Sequence, residues 1–438
     1  MKVLKFGGTS VGSAQRMKDV ATLICDGSSK IVVLSAMSGT TNSLVEISDY
    51  LYKKNKEGAT ELISKLLVKY LGVIEELYST KEYKKKAKDV INSRFNHIRS
   101  FVKDLFTQFE EKEILAQGEL LSTHIMHYYL LETGVKSVLI SALDYMRTDK
   151  NAEPDTVYIK ENLHALLKNN EGANLYLTQG YICLNANGEI DNLERGGSDY
   201  TASLVGAAIH AEEIQIWTDI DGMHNNDPRV VEKTTSVRQL HFDEAAELAY
   251  FGAKILHPTC ILPAKLNNIP VRLLNTMQPD AAGTTISSET ESEKIKAIAA
   301  KENITAIKIK SGRMLLATGF LRKVFEIFEK YKTPIDMVTT SEVGVSVTID
   351  NNRHLENIVA DLKNYGSVTV DRDMMIVCVV GDLKWENVGF PSKIIDAVKD
   401  IPVRMISFGG SNFNVSLLIK SSDKKRALQA LSDHLFNS

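Results

Sequence analysis

Lys5-Phe6-Gly7-Gly8-Thr9-Ser10 ends an N-terminal run in which residues 1–6 alternate apolar and cationic side chains. Such a strand opening onto paired glycines lets backbone amides approach an anion closely, with a fixed ammonium beside them. A second element, Glu194-Arg195-Gly196-Gly197-Ser198-Asp199-Tyr200-Thr201, follows nearly two hundred residues later. One glycine pair alone carries little meaning; the two together point to phosphoryl transfer.

Bringing such distant segments together requires a fold that collects loops at one edge. Residues 30–35 are a β-branched run opening onto Ser35-Ala36-Met37-Ser38-Gly39-Thr40-Thr41-Asn42, the pattern of a buried parallel strand with a small-residue loop at its carboxyl end. Residues 138–140, 175–179 and 214–217 read as further buried strands, the last ending at Thr218-Asp219-Ile220-Asp221-Gly222. Between them, residues 43–131 contain no proline and carry apolar side chains at helical spacing, with Lys81, Lys84, Lys85, Lys86 and Lys88 as a solvated face. Strands alternating with helices predict an α/β fold, an open and mainly parallel sheet covered by helices on both sides. A polar stretch at 287–293 marks a linker, so residues 1–290 form the expected catalytic domain.

Beyond the linker the pattern spells βαββαβ and then βαββα, giving ferredoxin-like modules at 300–371 and 372–438. The second lacks a closing strand and the first has a spare one, so residues 304–310 are expected to complete the sheet of the second, with the first inserted within it. Paired modules of this kind suit a small-ligand sensor; dimerisation alone is the plainer alternative.

Composition narrows the partners. A chain of 438 residues exceeds a single core. Its net charge of -3 gives no electrostatic case for nucleic acid or an anionic membrane. The four cysteines are scattered among apolar neighbours, which fits a reducing, cytoplasmic setting, and no leader or membrane-length apolar run is visible. His124 and His127 lie three apart on one expected helix, but without a third ligand they do not make a metal site.

Five segments in order resemble the aspartate kinases, of the amino-acid kinase superfamily, with two C-terminal ACT domains. They are Lys5-Phe6-Gly7-Gly8-Thr9-Ser10-Val11, Gln117-Gly118-Glu119, Arg195 to Thr201, Trp217-Thr218-Asp219 through Asp227-Pro228-Arg229, and Phe251-Gly252-Ala253-Lys254-Ile255-Leu256-His257-Pro258. The resemblance implies ATP-dependent phosphorylation of the β-carboxylate of L-aspartate, the first step towards lysine, threonine and methionine, with ATP as co-substrate and Mg²⁺. That carboxylate is ionised at neutral pH, so the chemistry needs positioning and cationic screening rather than a general base. By resemblance Lys5 bridges carboxylate and phosphoryl, Asp199 orients it, and Lys254 is a second cation on the leaving-group side. Glu119 takes the substrate ammonium, Arg195 its α-carboxylate, and Thr41 and Ser198 assist. Gly7, Gly8, Thr9 and Ser10 cradle phosphate. Thr218, Asp219, His224, Arg229, Lys254 and Ile255 contact the nucleotide, His224 standing where relatives often have tyrosine. His257 is expected to be structural. No metal ligands are assigned.

The sensor half resembles the lysine-sensitive members. Met314, Thr318, Gly319, Phe320 and Leu321 are expected to face Asp336, Thr340, Ser341, Glu342 and Val343 around an amino-acid effector, with lysine as the inhibitor. ACT modules imply a homodimer, and the ending soon after the last helix implies no fused dehydrogenase. Two alternatives are a sibling kinase acting on glutamate and a catalytically silent amino-acid sensor; intact Lys5, Asp199 and Lys254 speak against the latter.

Overall fold

A computed structural model describes every residue except Asp104, Arg195, 254–256, 312–317 and 437–438. The chain divides into two compact units, Met1–Met223 with Leu256–Ser288, and His224–Ile255 with Glu289–Ser438. In chain order the first holds β1 (Lys2–Phe6), α1 (Ala14–Ile24), β2 (Lys30–Leu34), α2 (Thr40–Tyr52), α3 (Lys56–Leu77), α4 (Lys81–Ser100), α5 (Gln108–Glu132), β3 (Ser137–Leu139), α6 (Thr156–Asn169), β4 (Leu175–Gln179), β5 (Ile182–Leu184), β6 (Ile190–Asn192), α7 (Gly197–Ile209) and β7 (Ile214–Thr218). The second contributes β8 (Gln239–His241) and α8 (Phe242–Tyr250) before the first resumes with α9 (Pro258–Leu266), β9 (Val271–Asn275) and β10 (Thr284–Ser287).

Within the first unit the strand order is β3-β4-β2-β1-β7-β9-β10. Neighbours are parallel from β3 to β9, and β10 runs antiparallel to β9. In register, Lys5 lies between Val33 and Ile216, and Phe6 between Leu34 and Trp217. The carboxyl ends of β1, β2, β4 and β7 therefore emerge at one edge, where an open α/β sheet places its ligands. Every residue of β2 is buried, as the β-branched run predicts.

The proline-free stretch forms α2 to α5. Buried Ile91, Phe95 and Ile98 give α4 one apolar face. Lys81, Lys85 and Lys86 are exposed, and Lys84 and Lys88 both reach Glu75, at 2.9 and 2.5 Å. In α5 a capping box of Thr107 and Glu110 starts the helix, and every side chain from Ile114 to Thr123 is buried. A helix buried all round must pack closely, and Gly118 permits it: a Cβ there would lie 2.8 Å from the Cβ of Ala36. Of the cysteines, Cys25 is exposed rather than in apolar company.

The second unit continues with β11 (Ile295–Lys310), α10 (Phe320–Lys330), β12 (Val338–Ser341), β13 (Gly344–Ile349), α11 (Leu355–Leu362), β14 (Ser367–Gly381), α12 (Phe390–Ala397), β15 (Met405–Ser407), β16 (Asn414–Lys420) and α13 (Lys424–Phe436). These strands form one sheet in the order β12-β13-β11-β14-β16-β15. The expected role of residues 304–310 is corrected by their register. They pair with β13 and with the 367–374 part of β14, so they belong to the first module, where Ile307 and Ile309 pack with Val345, Val347 and Phe328. The strand that joins the second module is 295–301, opposite 376–381. One long strand serves both modules because the ladder shifts between Lys301 and Ala306, next to Asn303 at φ 60°. The strand expected at 313–317 lies outside the described residues.

Replacing Gly118 by alanine should destabilise the protein by about 1–3 kcal/mol despite alanine's higher helix propensity, because the new methyl group overpacks against Ala36. Thermal or urea denaturation measures this; a stabilised variant would show that the loop carrying Ala36 yields freely.

Candidate active site

A cavity of about 1480 Å³ opens in the first unit, and its wall includes Lys5, Gly8, residues 35–39, Thr41, Glu119, Tyr181, 196–200 and His257. Lys5 projects from central β1 with its side chain 12% exposed, and its Nζ lies 2.6 Å from Oδ1 of Asp199, itself 14% exposed. Asp199 occupies the first turn of α7. The cap residue of that helix, Gly196, has φ 72° and offers no side-chain acceptor, so the positive end of the helix faces the cavity wall uncapped. Helix α2 begins the same way, at Gly39 with φ 78°.

The glycine loop divides its labour. A Cβ on Gly8 would meet the Ala36 carbonyl at 2.8 Å, and the Gly8 carbonyl accepts the Ser38 amide at 3.0 Å. The Gly8 and Thr9 amides have no acceptor among the described residues. The Gly7 amide, by contrast, donates to the Trp217 carbonyl at 3.2 Å, and that of Ser10 to the Gly7 carbonyl at 2.9 Å. The Ser10 hydroxyl is fully buried, 2.7 Å from that of Thr276. Gly7 and Ser10 thus brace the loop that presents the Gly8 and Thr9 amides. Behind them Phe6 and Trp217 stack with centroids 5.7 Å apart.

Glu119 is 3% exposed. Its Oε1 accepts the Ala36 amide at 3.1 Å, while Oε2 has no hydrogen-bond partner among the described residues. Burial pushes its carboxyl up to about 8. Thr41 follows Thr40, whose buried hydroxyl lies 3.0 Å from that of Tyr70. Ser198 is pressed against Gly180, where a Cβ would fall 2.6 Å from its own. Arg195 lies outside the described residues.

Thr218 and Asp219 stand at the carboxyl end of β7, beside β1, with the Thr218 hydroxyl donating to Asp219 Oδ1 at 3.2 Å. His224 and Arg229 belong to the second unit. There His224 Nδ1 lies 3.0 Å from the Thr234 hydroxyl, and the Arg229 guanidinium already grips both carboxylate oxygens of Asp227, at 2.9 and 2.8 Å. Lys254 and Ile255 lie outside the described residues. His257 has a partner, the Thr259 hydroxyl at 2.7 Å, yet it is exposed and lines the cavity rather than sitting in the core. His124 and His127 hold Leu120 O and the Ser137 hydroxyl. Among the described residues no group of three His, Cys, Asp or Glu side chains is placed to hold a metal ion.

Of the expected effector residues, Thr318, Gly319, Leu321, Thr340, Ser341 and Glu342 are exposed and Val343 is half-buried. The Phe320 side chain is part of the module core, and its backbone begins α10. The Asp336 side chain is buried but engaged, its Oδ1 taking Lys301 Nζ at 2.6 Å and the Tyr250 hydroxyl at 2.8 Å. Met314 lies outside the described residues. Two features escaped the sequence reading: the β5–β6 hairpin in the cavity wall, signalled by Asn185-Ala186-Asn187-Gly188, and Tyr181, a non-glycine residue at φ 69°.

Residues 1–275 match the amino acid kinase family and residues 377–435 an ACT domain. Aspartokinase 1 of the Arabidopsis thaliana chloroplast is 34% identical over all of this chain and 80% of its own. Lysine-sensitive aspartokinase 3 of Escherichia coli K12 is 32% identical over 99% of both. The crystal structure of E. coli aspartokinase III with aspartate and ADP, in its R-state, superposes at TM-score 0.85 with 30% identity over the whole of both chains. Its T-state complex with lysine and aspartate gives 0.78 at 31% identity, over all of this chain and 99% of that one.

The geometry of Glu119 predicts a pH-dependent cost. The unfolded chain ionises this group near its ordinary value of 4.5 and the folded protein only near 8, so stability falls as pH rises between them. Glu119→Gln in the ligand-free protein should gain stability progressively from pH 5 to 8, by on the order of 2–4 kcal/mol at the top. A difference in melting temperature that does not vary with pH would refute this.

Proposed function

Taking as premise that the chain belongs to the aspartokinases of the amino acid kinase family, we propose that it transfers the γ-phosphoryl group of ATP to the β-carboxylate of L-aspartate, yielding ADP and 4-phospho-L-aspartate. The observation that carries this reading is the Lys5–Asp199 pair, set at 2.6 Å in the wall of the cavity that Glu119 also lines.

The nucleophile arrives ionised, so the barrier is repulsion between two anions. Lys5 supplies positive charge where attacking carboxylate and transferred phosphoryl meet, and Asp199 holds the ammonium in place. The open amides of Gly8 and Thr9 and the uncapped starts of α2 and α7 add fixed partial charge without reorganisation. Glu119 receives the substrate ammonium, Arg195 the α-carboxylate, and Thr41 and Ser198 hydrogen-bond the substrate. Thr218, Asp219, His224, Ile255, Arg229 and Lys254 serve the nucleotide, Arg229 by exchanging Asp227 for phosphate oxygens. Asp199, a carboxylate in the cavity wall, would be the residue to hold magnesium there, an ion that needs few protein ligands. When bound, the ion neutralises charge on the phosphates.

Lysine feedback, a homodimer formed through the ACT modules, a cytoplasmic setting and a place at the head of lysine, threonine and methionine synthesis complete the reading. Likeness to the lysine-sensitive E. coli enzyme supports the first of these.

A coupled assay of ADP release with aspartate and with glutamate, repeated with lysine, threonine or methionine added, tests the proposal. Turnover with aspartate, reduced by lysine, is expected, and Lys5→Ala should lower kcat at least about 10²–10³-fold. Equal background rates in the two proteins would reject a kinase. Because Glu119 must lose its proton to accept an ammonium, apparent affinity for aspartate should rise with pH up to about 8, approaching tenfold per unit. A flat profile would remove Glu119 from that role.

A further inference from the structure

Asp336 is held more tightly than an open ligand-binding carboxylate needs to be. Its side chain is 1% exposed. The Asp336 amide donates to the Thr348 carbonyl at 2.9 Å, fixing its backbone beside β13. One oxygen, Oδ1, accepts from Lys301 Nζ at 2.6 Å and from the Tyr250 hydroxyl at 2.8 Å. The other, Oδ2, is buried without a hydrogen-bond partner among the described residues. A carboxylate oxygen left bare in a low-dielectric site is costly, and one further donor would satisfy it. Lys301 also reaches Asp350 at 2.8 Å and lies 4.3 Å from the centre of the Tyr250 ring. The site thus already contains an ammonium on a flexible stem, with a second carboxylate ready to keep it neutralised if Asp336 is taken away.

The two residues that hold Asp336 lead elsewhere. Tyr250 is the last residue of α8, and Phe251-Gly252-Ala253-Lys254 follows it directly. Gly252, at φ 113°, rests on β11 so closely that a Cβ would be 2.4 Å from the Ala300 carbonyl, one residue before Lys301. The Ala253 amide closes the turn onto the Leu248 carbonyl at 2.8 Å. Residues 251–253 are therefore seated on the same stretch of β11 that presents Lys301, and are tied to Asp336 through the hydroxyl of the preceding Tyr250.

We propose that Lys301 and Tyr250 form a clasp on Asp336 which an ammonium-bearing effector opens, displacing Lys301 towards Asp350 and freeing Tyr250, so that effector occupancy is transmitted to residues 251–253, which follow Tyr250 directly. This rests on the reading of Asp336 as part of the effector site. Lys301 then acts as a built-in competitor that sets how much effector is needed, while Tyr250 carries the message. An effector shifts the equilibrium only by the difference in its contacts with the clasped and opened forms, and Asp336 provides that difference.

The test uses the full-length chain and L-lysine, with binding followed by calorimetry and inhibition by the coupled assay. Tyr250→Phe removes the hydroxyl and keeps the ring: it should bind lysine at least as tightly as wild type, with inhibition at saturating lysine reduced several-fold. Lys301→Met keeps the aliphatic stem and should lower the Kd for lysine at least about tenfold, the worth of a lost charge-assisted competitor. Melting temperatures check that both variants fold. If wild type is inhibited by lysine and Tyr250→Phe is inhibited as fully at the same concentrations, the clasp is wrong while the effector reading survives. If wild type neither binds lysine nor is inhibited by it, the effector reading fails and the clasp with it.

Discussion

The ion pair between Lys5 and Asp199 is the contact on which the rest of the first unit depends. An ammonium on the central strand of a sheet is expensive to hold away from water unless a carboxylate meets it, and that carboxylate must come from outside the strand. Here it comes from the first turn of α7, almost two hundred residues along the chain. The parallel order β2-β1-β7 keeps Lys5 at the carboxyl edge, Gly196 and Gly197 allow α7 to begin against Tyr181 and His257, and Gly180 makes room for Ser198. Each of these small residues is explained by a neighbour a side chain would strike.

Glu119 represents the opposite electrostatic choice. Lys5 is charged and paired; Glu119 is buried with one bare oxygen and holds its proton to about pH 8. A group kept in this state has stability sacrificed for binding, because it becomes comfortable only when a positively charged ligand arrives. The fully buried α5 that carries it, with Gly118 against Ala36, leaves the carboxylate little freedom to relax towards solvent.

Much of this was legible from residue order alone. The runs at 30–34, 175–179 and 214–217 read correctly as buried parallel strands, whereas the one expected at 138–140 is the half-buried edge strand β3; the lysines of α4 read correctly as a wet face. The glycine pairs located the cavity. Three things were not legible. Whether a loop amide is open or spent, as Gly8 differs from Gly7, depends on which carbonyl of β7 lies opposite. That Ser10 would turn inward to Thr276 depends on a residue more than two hundred and fifty positions away. That residues 304–310 belong to the first module depends on a bulge near Asn303, and a period-two pattern does not reveal where a strand changes partner.

The shared strands β11 and β14 have one more implication. Because each runs through both modules, the second module is discontinuous in the chain: its 295–301 strand is separated from its 376–381 partner by the whole of the first. The inserted module keeps all its ladder pairs within 304–374, whereas a transplant of the second, natural or engineered, has either to carry the first along or to rejoin two separated pieces of chain.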